Sequence, residues 1–125
     1  MRLTVHHLSR IPEQHRHHAG LILQGTPLPE QAECYLATFN DRAVALAWRR
    51  DERLDFFAVR DLTRRRGIGR ELLRQIKLDA KAAGLTRLDC DPAQAQDGER
   101  DGLAAFLQGQ GFRPRDGVLS CCLYD

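Results

Sequence analysis

The stretch Arg60-Asp61-Leu62-Thr63-Arg64-Arg65-Arg66-Gly67-Ile68-Gly69-Arg70 constrains this chain more than any other. It follows Phe56-Phe57-Ala58-Val59, an apolar run that reads as a strand buried on both faces. It opens into a helix whose apolar positions Ile68, Leu72, Ile76, Ala80 and Ala83 are spaced for one face. A helix N-terminus presents unpaired N–H groups and the positive end of the macrodipole, so it is a natural anion site. Gly67 and Gly69 remove side chains where a phosphate would approach the backbone. Arg64, Arg65 and Arg66 add fixed charge and bidentate donors for phosphate oxygens. The segment reads as a polyphosphate site, most economically for a nucleotide-like cofactor. A solvated basic loop ahead of a surface helix is the alternative.

The surrounding pattern places that turn in the middle of a mixed sheet. A strand is expected over 2–8, then a polar helix from Pro12 to about Leu23 that ends at Gly25-Thr26-Pro27. His15, His17 and His18 fall in this helix and read as a solvated surface. Only His15 and His18 share a face, which is too few convergent ligands for a metal. Three antiparallel strands follow, over 33–39, 42–50 and 53–60, with turns at Asn40-Asp41 and Asp51-Glu52. In the second of them Val44, Leu46 and Trp48 recur every other residue, as on one face of a strand. Gly84 stops the long helix, and a strand over 85–90 completes a strand–helix–strand unit with a parallel pair. A polar loop, a helix from about Glu99 to Gln110 and a final hairpin turning near Asp116-Gly117 close the chain. The expected architecture is α/β (α+β), one domain over 1–125.

Composition narrows the function classes. Nineteen Lys and Arg against 17 Asp and Glu give a net charge of +2 over 125 residues. That is too even for a protein that grips nucleic acid mainly through phosphates, so no nucleic-acid partner is expected. No apolar run nears the roughly 20 residues that span a bilayer, and no secretory leader is visible, so no membrane partner is expected. Cys34, Cys90, Cys121 and Cys122 contain no CxxC pair, and Cys121 and Cys122 would point to opposite faces of a strand. They read as reduced thiols of a cytoplasmic protein.

The cofactor class narrows by spacing. GxxxxGK[ST] is absent, which disfavours a nucleoside triphosphatase. GxGxxG fails because its third glycine position is Leu72. What remains, Arg-x-x-Gly-x-Gly at a strand–helix junction, resembles the pyrophosphate loop of the GNAT superfamily of N-acetyltransferases, which bind acetyl-coenzyme A. Within it, the run from Phe57 to Gly69 resembles the PanZ (PanM) family. The likeness extends to Met1-Arg2-Leu3-Thr4-Val5, to Phe39-Asn40-Asp41-Arg42, and to Ala105-Phe106-Leu107-Gln108 with Gly111-Phe112. The 11–32 and 85–100 stretches match poorly.

The resemblance implies a GNAT-like fold: a mixed central sheet with an antiparallel meander, a splayed central strand and flanking helices. It implies that Phe57, Ala58 and Val59 offer backbone groups to the pantetheine arm. The pyrophosphate would then lie against Thr63, Arg64, Arg65, Arg66, Gly67, Ile68, Gly69 and Arg70. It further implies a regulatory partner, the aspartate decarboxylase PanD, whose precursor the family helps to self-cleave in pantothenate biosynthesis. A small N-acetyltransferase acting on an amine is the other reading. Many GNAT members place a tyrosine acid four residues before the Gly-Phe pair. That position here is Leu107, which carries no proton, so no catalytic residue is assigned. Asp55 is the best base candidate, while Tyr35 and Tyr124 read as packing residues. Arg42, Arg49 and Arg50 read as surface arginines, available to an acidic partner or simply solvated.

Overall fold

A computed structural model of the chain describes residues 3–9, 11–29, 31–40, 42–59, 67–94 and 100–123. Strand β1 (Leu3–Leu8) leads through a 3-10 turn (Glu13–His15) into helix α1 (Arg16–Leu23). The meander β2 (Glu33–Phe39), β3 (Arg42–Arg50) and β4 (Arg53–Val59) follows, then helix α2 (Ile68–Ala82) and strand β5 (Arg87–Cys90). Helix α3 (Arg100–Gly109) and the hairpin β6 (Arg113–Arg115) and β7 (Val118–Cys122) finish it. The seven strands form one sheet in the order β1-β2-β3-β4-β5-β7-β6. All neighbours run antiparallel except β4 and β5. This is the mixed sheet with flanking helices that the sequence predicted.

Local chemistry explains the reversals. Asn40, Asp51 and Asp116 take left-handed backbone conformations with φ of 53°, 51° and 51°, which short polar side chains tolerate best. Asp116 and Gly117 both have positive φ, as a tight hairpin with the sheet's own twist requires. Helix α1 ends on left-handed Gln24.

Each face of the sheet carries its own core. Helices α2 and α3 bury Ile68, Leu72, Leu73, Ile76, Leu103 and Leu107 against Leu54, Phe57, Leu88 and Leu119. On the opposite face, Ala19 and Ile22 of α1 pack on Leu36, Leu46, Trp48 and Phe56. There the Trp48 and Phe56 rings stack with centroids 4.3 Å apart. Among the described residues, no helix is long and apolar enough to cross a membrane.

The structure changes several expectations in detail. A bulge between β2 and β3 pairs Ala37 with Ala45 and Thr38 with Ala43, so Val44 is the extra residue. Val44 therefore turns to the α2 face, away from Leu46 and Trp48. His15 does not face solvent: it is 8% exposed at the start of α1, and its Nδ1 has no hydrogen-bond partner among the described residues. Ala83 is exposed because α2 has ended one residue earlier. Strand β5 begins at Arg87, with Leu85 folded back so that its N–H bonds the Ala80 carbonyl at 3.0 Å. Cys121 is buried and Cys122 exposed, as alternation along β7 demands, and none of the four cysteines forms a disulfide.

Candidate cofactor site at the opening of the sheet

The sheet opens between β4 and β5. β4 pairs with β3 along nearly its whole length, but with β5 at one position, Arg53 opposite Asp89. The Asp89 N–H bonds the Glu52 carbonyl at 2.7 Å and closes that end. Beyond Leu54 no ladder joins the two strands, so among the described residues no strand covers the β5 side of the backbone from Asp55 to Val59. Backbone polar groups seldom stay unpaired in a protein interior, so an opened edge of this kind suits a ligand with amide groups.

A bulge in β4 contributes to the opening. Trp48 pairs with Phe56 and Arg49 with Leu54, which leaves Asp55 as the extra residue. Such an insertion bends the strand and increases its twist. It also explains why Leu54 and Phe57, three residues apart, share the α2 face. The sequence carried this signal in the spacing of Leu54 and Phe57, which breaks a period of two. Asp55 is half-buried and its carboxylate lies 3.5 Å from the Arg53 guanidinium.

The N-terminus of α2 arrives at the open end of β4. Gly67 adopts φ 73°, ψ 13°, and its carbonyl accepts the first helical bond from the Glu71 N–H at 3.0 Å. The first-turn N–H groups of Ile68, Gly69 and Arg70 have no acceptor within the helix. Gly69 has a packing reason beyond any ligand. A Cβ there would lie 3.3 Å from Phe106 Cζ and 3.5 Å from Val59 Cγ2. At Gly67 a Cβ would meet open space, so its requirement is the positive φ.

The structure thus brings Phe57, Val59 and Gly69 together, joined by Phe106 of α3, whose ring stacks on Phe57 at 5.5 Å. Phe106 lies in the helix expected from about Glu99 to Gln110, and nothing in the sequence announces its stacking partner. Ile68 is core, Arg70 is exposed, and Ala58 is half-buried on the α1 side opposite Leu46. Thr63, Arg64, Arg65 and Arg66 lie outside the described residues, as does Tyr124. Leu107 is fully buried in the core beneath the sheet.

Tyr35 and Arg49 are committed elsewhere. Arg49, expected at the surface, is 4% exposed. Its Nε donates to the Tyr35 hydroxyl and its Nη2 to Asp79 Oδ2, each at 2.8 Å, while Nη1 donates to the Asp51 carbonyl at 3.0 Å. The Tyr35 hydroxyl in turn donates to Asp79. Burial and the Asp79 hydrogen bond push the Tyr35 phenol far above its ordinary value, so it stays protonated near neutral pH. Burial works against the charge of Asp79, but hydrogen bonds from Tyr35 and Arg49 and the nearby His7 and Arg49 outweigh it. The Asp79 carboxyl is therefore held below the usual range. Arg42 and Arg50 are exposed, as expected.

Comparison with known proteins agrees with this geometry. Residues 11–120 match the PanZ acetyltransferase (GNAT) domain family. YhhK of E. coli, whose solution structure holds bound coenzyme A, is 27% identical over 98% of this chain and 99% of its own, with a TM-score of 0.79. A GNAT acetyltransferase of Elizabethkingia anophelis with acetyl-coenzyme A bound shares the fold at 19% identity, covering 96% and 97% of the two chains, with a TM-score of 0.67. The ribosomal-protein-S18-alanine N-acetyltransferase of Escherichia coli does so at 19% identity over 99% and 96%, with a TM-score of 0.70. Comparison with curated proteins by sequence finds no match. The opened strand, the glycine-led helix beside it and the match over residues 11–120 place this chain in the PanZ family of GNAT domains.

Proposed function

We propose that this chain is a single-domain, cytoplasmic acetyl-coenzyme A-binding regulator whose partner is the aspartate decarboxylase PanD. The observation that carries the cofactor reading is the β4 edge beyond Leu54, left without a β5 partner beside the first turn of α2. The residues present fit the group. Backbone groups of Phe57, Ala58 and Val59 would pair with the amides of the pantetheine arm. The first-turn N–H groups of Ile68, Gly69 and Arg70, with Thr63, Arg64, Arg65 and Arg66, would hold the diphosphate. When bound, acetyl-coenzyme A supplies an activated acetyl thioester at the opening.

The regulatory reading rests on the side chains that would otherwise be candidates for the acid. Leu107 is buried and aprotic, and Tyr35 is locked to Asp79 and Arg49, so neither side chain protonates a departing thiolate. The chain's residues are equipped to bind and orient the ligand. Ligand binding can favour a partner only through a difference in affinity between the free and loaded protein.

Calorimetry with acetyl-coenzyme A, on wild type and Arg65→Ala, tests the cofactor site. Binding weakened at least about tenfold in the variant is expected for the loss of a charge-assisted phosphate contact, and unchanged binding would remove the site. Capture of the decarboxylase precursor with and without acetyl-coenzyme A tests the partner. Stronger capture with the ligand supports regulation, and equal capture ends that reading. Thiol release in a panel of amines would assign the protein to the N-acetyltransferases instead.

A further inference from the structure

His7 lies on edge strand β1 with its ring stacked on Tyr35, centroids 4.8 Å apart and planes 10° from parallel. Its two nitrogens face two carboxylates on different elements. Nε2 is 2.6 Å from Glu33 Oε2 of β2, and Nδ1 is 3.4 Å from Asp79 Oδ1 of α2. A neutral imidazole carries one N–H and can present it to only one of them, whereas imidazolium presents a proton to both. Among the described residues, the charged and titratable groups against His7 are Glu33 and Tyr35 of β2 and Asp79 of α2, the last paired with Arg49 of β3. With Tyr35 neutral, that is one guanidinium against two carboxylates, an excess of one negative charge that a proton on His7 cancels.

We propose that His7 is a proton-operated clasp that ties edge strand β1 to the C-terminal half of α2. Strand β1 has a ladder partner on one side only, β2. Protonated His7 adds a second attachment, from β1 across Tyr35 to the helix. Neutral His7 keeps its stacking and one hydrogen bond and gives up the bridge. The clasp therefore tightens as pH falls and His7 takes up its second proton. This inference is independent of the cofactor reading and needs no ligand.

Urea denaturation at pH 5.5 and pH 8 tests it, on wild type, Glu33→Gln and His7→Gln. Glu33 is half-exposed, so its substitution leaves the core intact. The loss in folding equilibrium constant on Glu33→Gln is expected to be about threefold larger at pH 5.5 than at pH 8, the scale of a partly exposed ion pair. His7→Gln should show the same direction with a greater difference. The remaining histidines are common to all three proteins, so they cancel in the comparison. Should His7→Gln fail to fold, His7→Phe, which keeps a ring against Tyr35 and has no N–H for Asp79, takes its place in the comparison. Equal losses at the two pH values, or a larger loss at pH 8, overturn the clasp.

Discussion

Arg53 and Asp89 form the one paired position between β4 and β5, and every residue of β4 after Leu54 lies beyond that ladder. The consequence is measurable by amide hydrogen exchange. Those amides of Phe57, Ala58 and Val59 that do not bond to β3 should exchange quickly in the free protein. With saturating acetyl-coenzyme A they should slow by at least about tenfold, the effect of gaining a ligand acceptor. Unchanged exchange in the presence of bound ligand would place the ligand elsewhere.

Gly69 and Phe106 set how closely α2 can approach β4. A Cβ at 69 would press on the Phe106 ring at 3.3 Å and on Val59 at 3.5 Å. Gly69→Ala should cost about 1 kcal/mol or less, and Gly69→Val about 2–3 kcal/mol, as the ring and the first turn are pushed apart. Chemical denaturation measures both. Gly69→Val should also weaken cofactor binding, because the displaced first turn carries the N–H groups proposed for the diphosphate.

Arg49 is buried and serves Tyr35, Asp79 and the Asp51 carbonyl at once. Replacing it with methionine leaves the two side-chain partners without their shared cation. A loss of about 3 kcal/mol in unfolding free energy is expected. Arg49→Lys keeps the charge but cannot reproduce the planar fork, and should lose about 1–2 kcal/mol. Thermal melts of the two variants check the order.

Asp79 gives the fold an acid limit. Its carboxyl is held below the ordinary value in the folded protein, with burial opposing the shift and the Tyr35 and Arg49 hydrogen bonds outweighing it. The unfolded state therefore binds its proton first as pH falls. The stabilisation is present above the unfolded value of about 4 and is lost on going below it. The stability advantage of wild type over Asp79→Asn should be larger at pH 5 than at pH 3, measured by denaturation at each pH.

Much of the fold was legible because its signals are local. The meander was readable from Asn40 and Asp51, residues that accept left-handed turns, between alternating or apolar runs. The helix after Gly67 was readable from its spacing of Ile68, Leu72, Ile76 and Ala80. The misread positions depend on partners far along the chain. Val44 changes face because of a bulge against β2. His15 is buried because α1 lies on the sheet with His6 nearby, ring centroids 6.2 Å apart. Arg49 was taken as surface because nothing near it in sequence announces Asp79, thirty residues on. At the candidate site, the glycines were legible as glycines but only half explained. Gly67 answers to backbone conformation, whereas Gly69 answers to a phenylalanine on a helix that comes later in the chain.

The outer strand β6 reads Arg113-Pro114-Arg115 and pairs on one side only, with β7. Its free flank offers exposed guanidinium groups and a residue that has no N–H to donate. A second copy of the sheet finds like charge and a missing donor along that margin, which disfavours edge-to-edge pairing there.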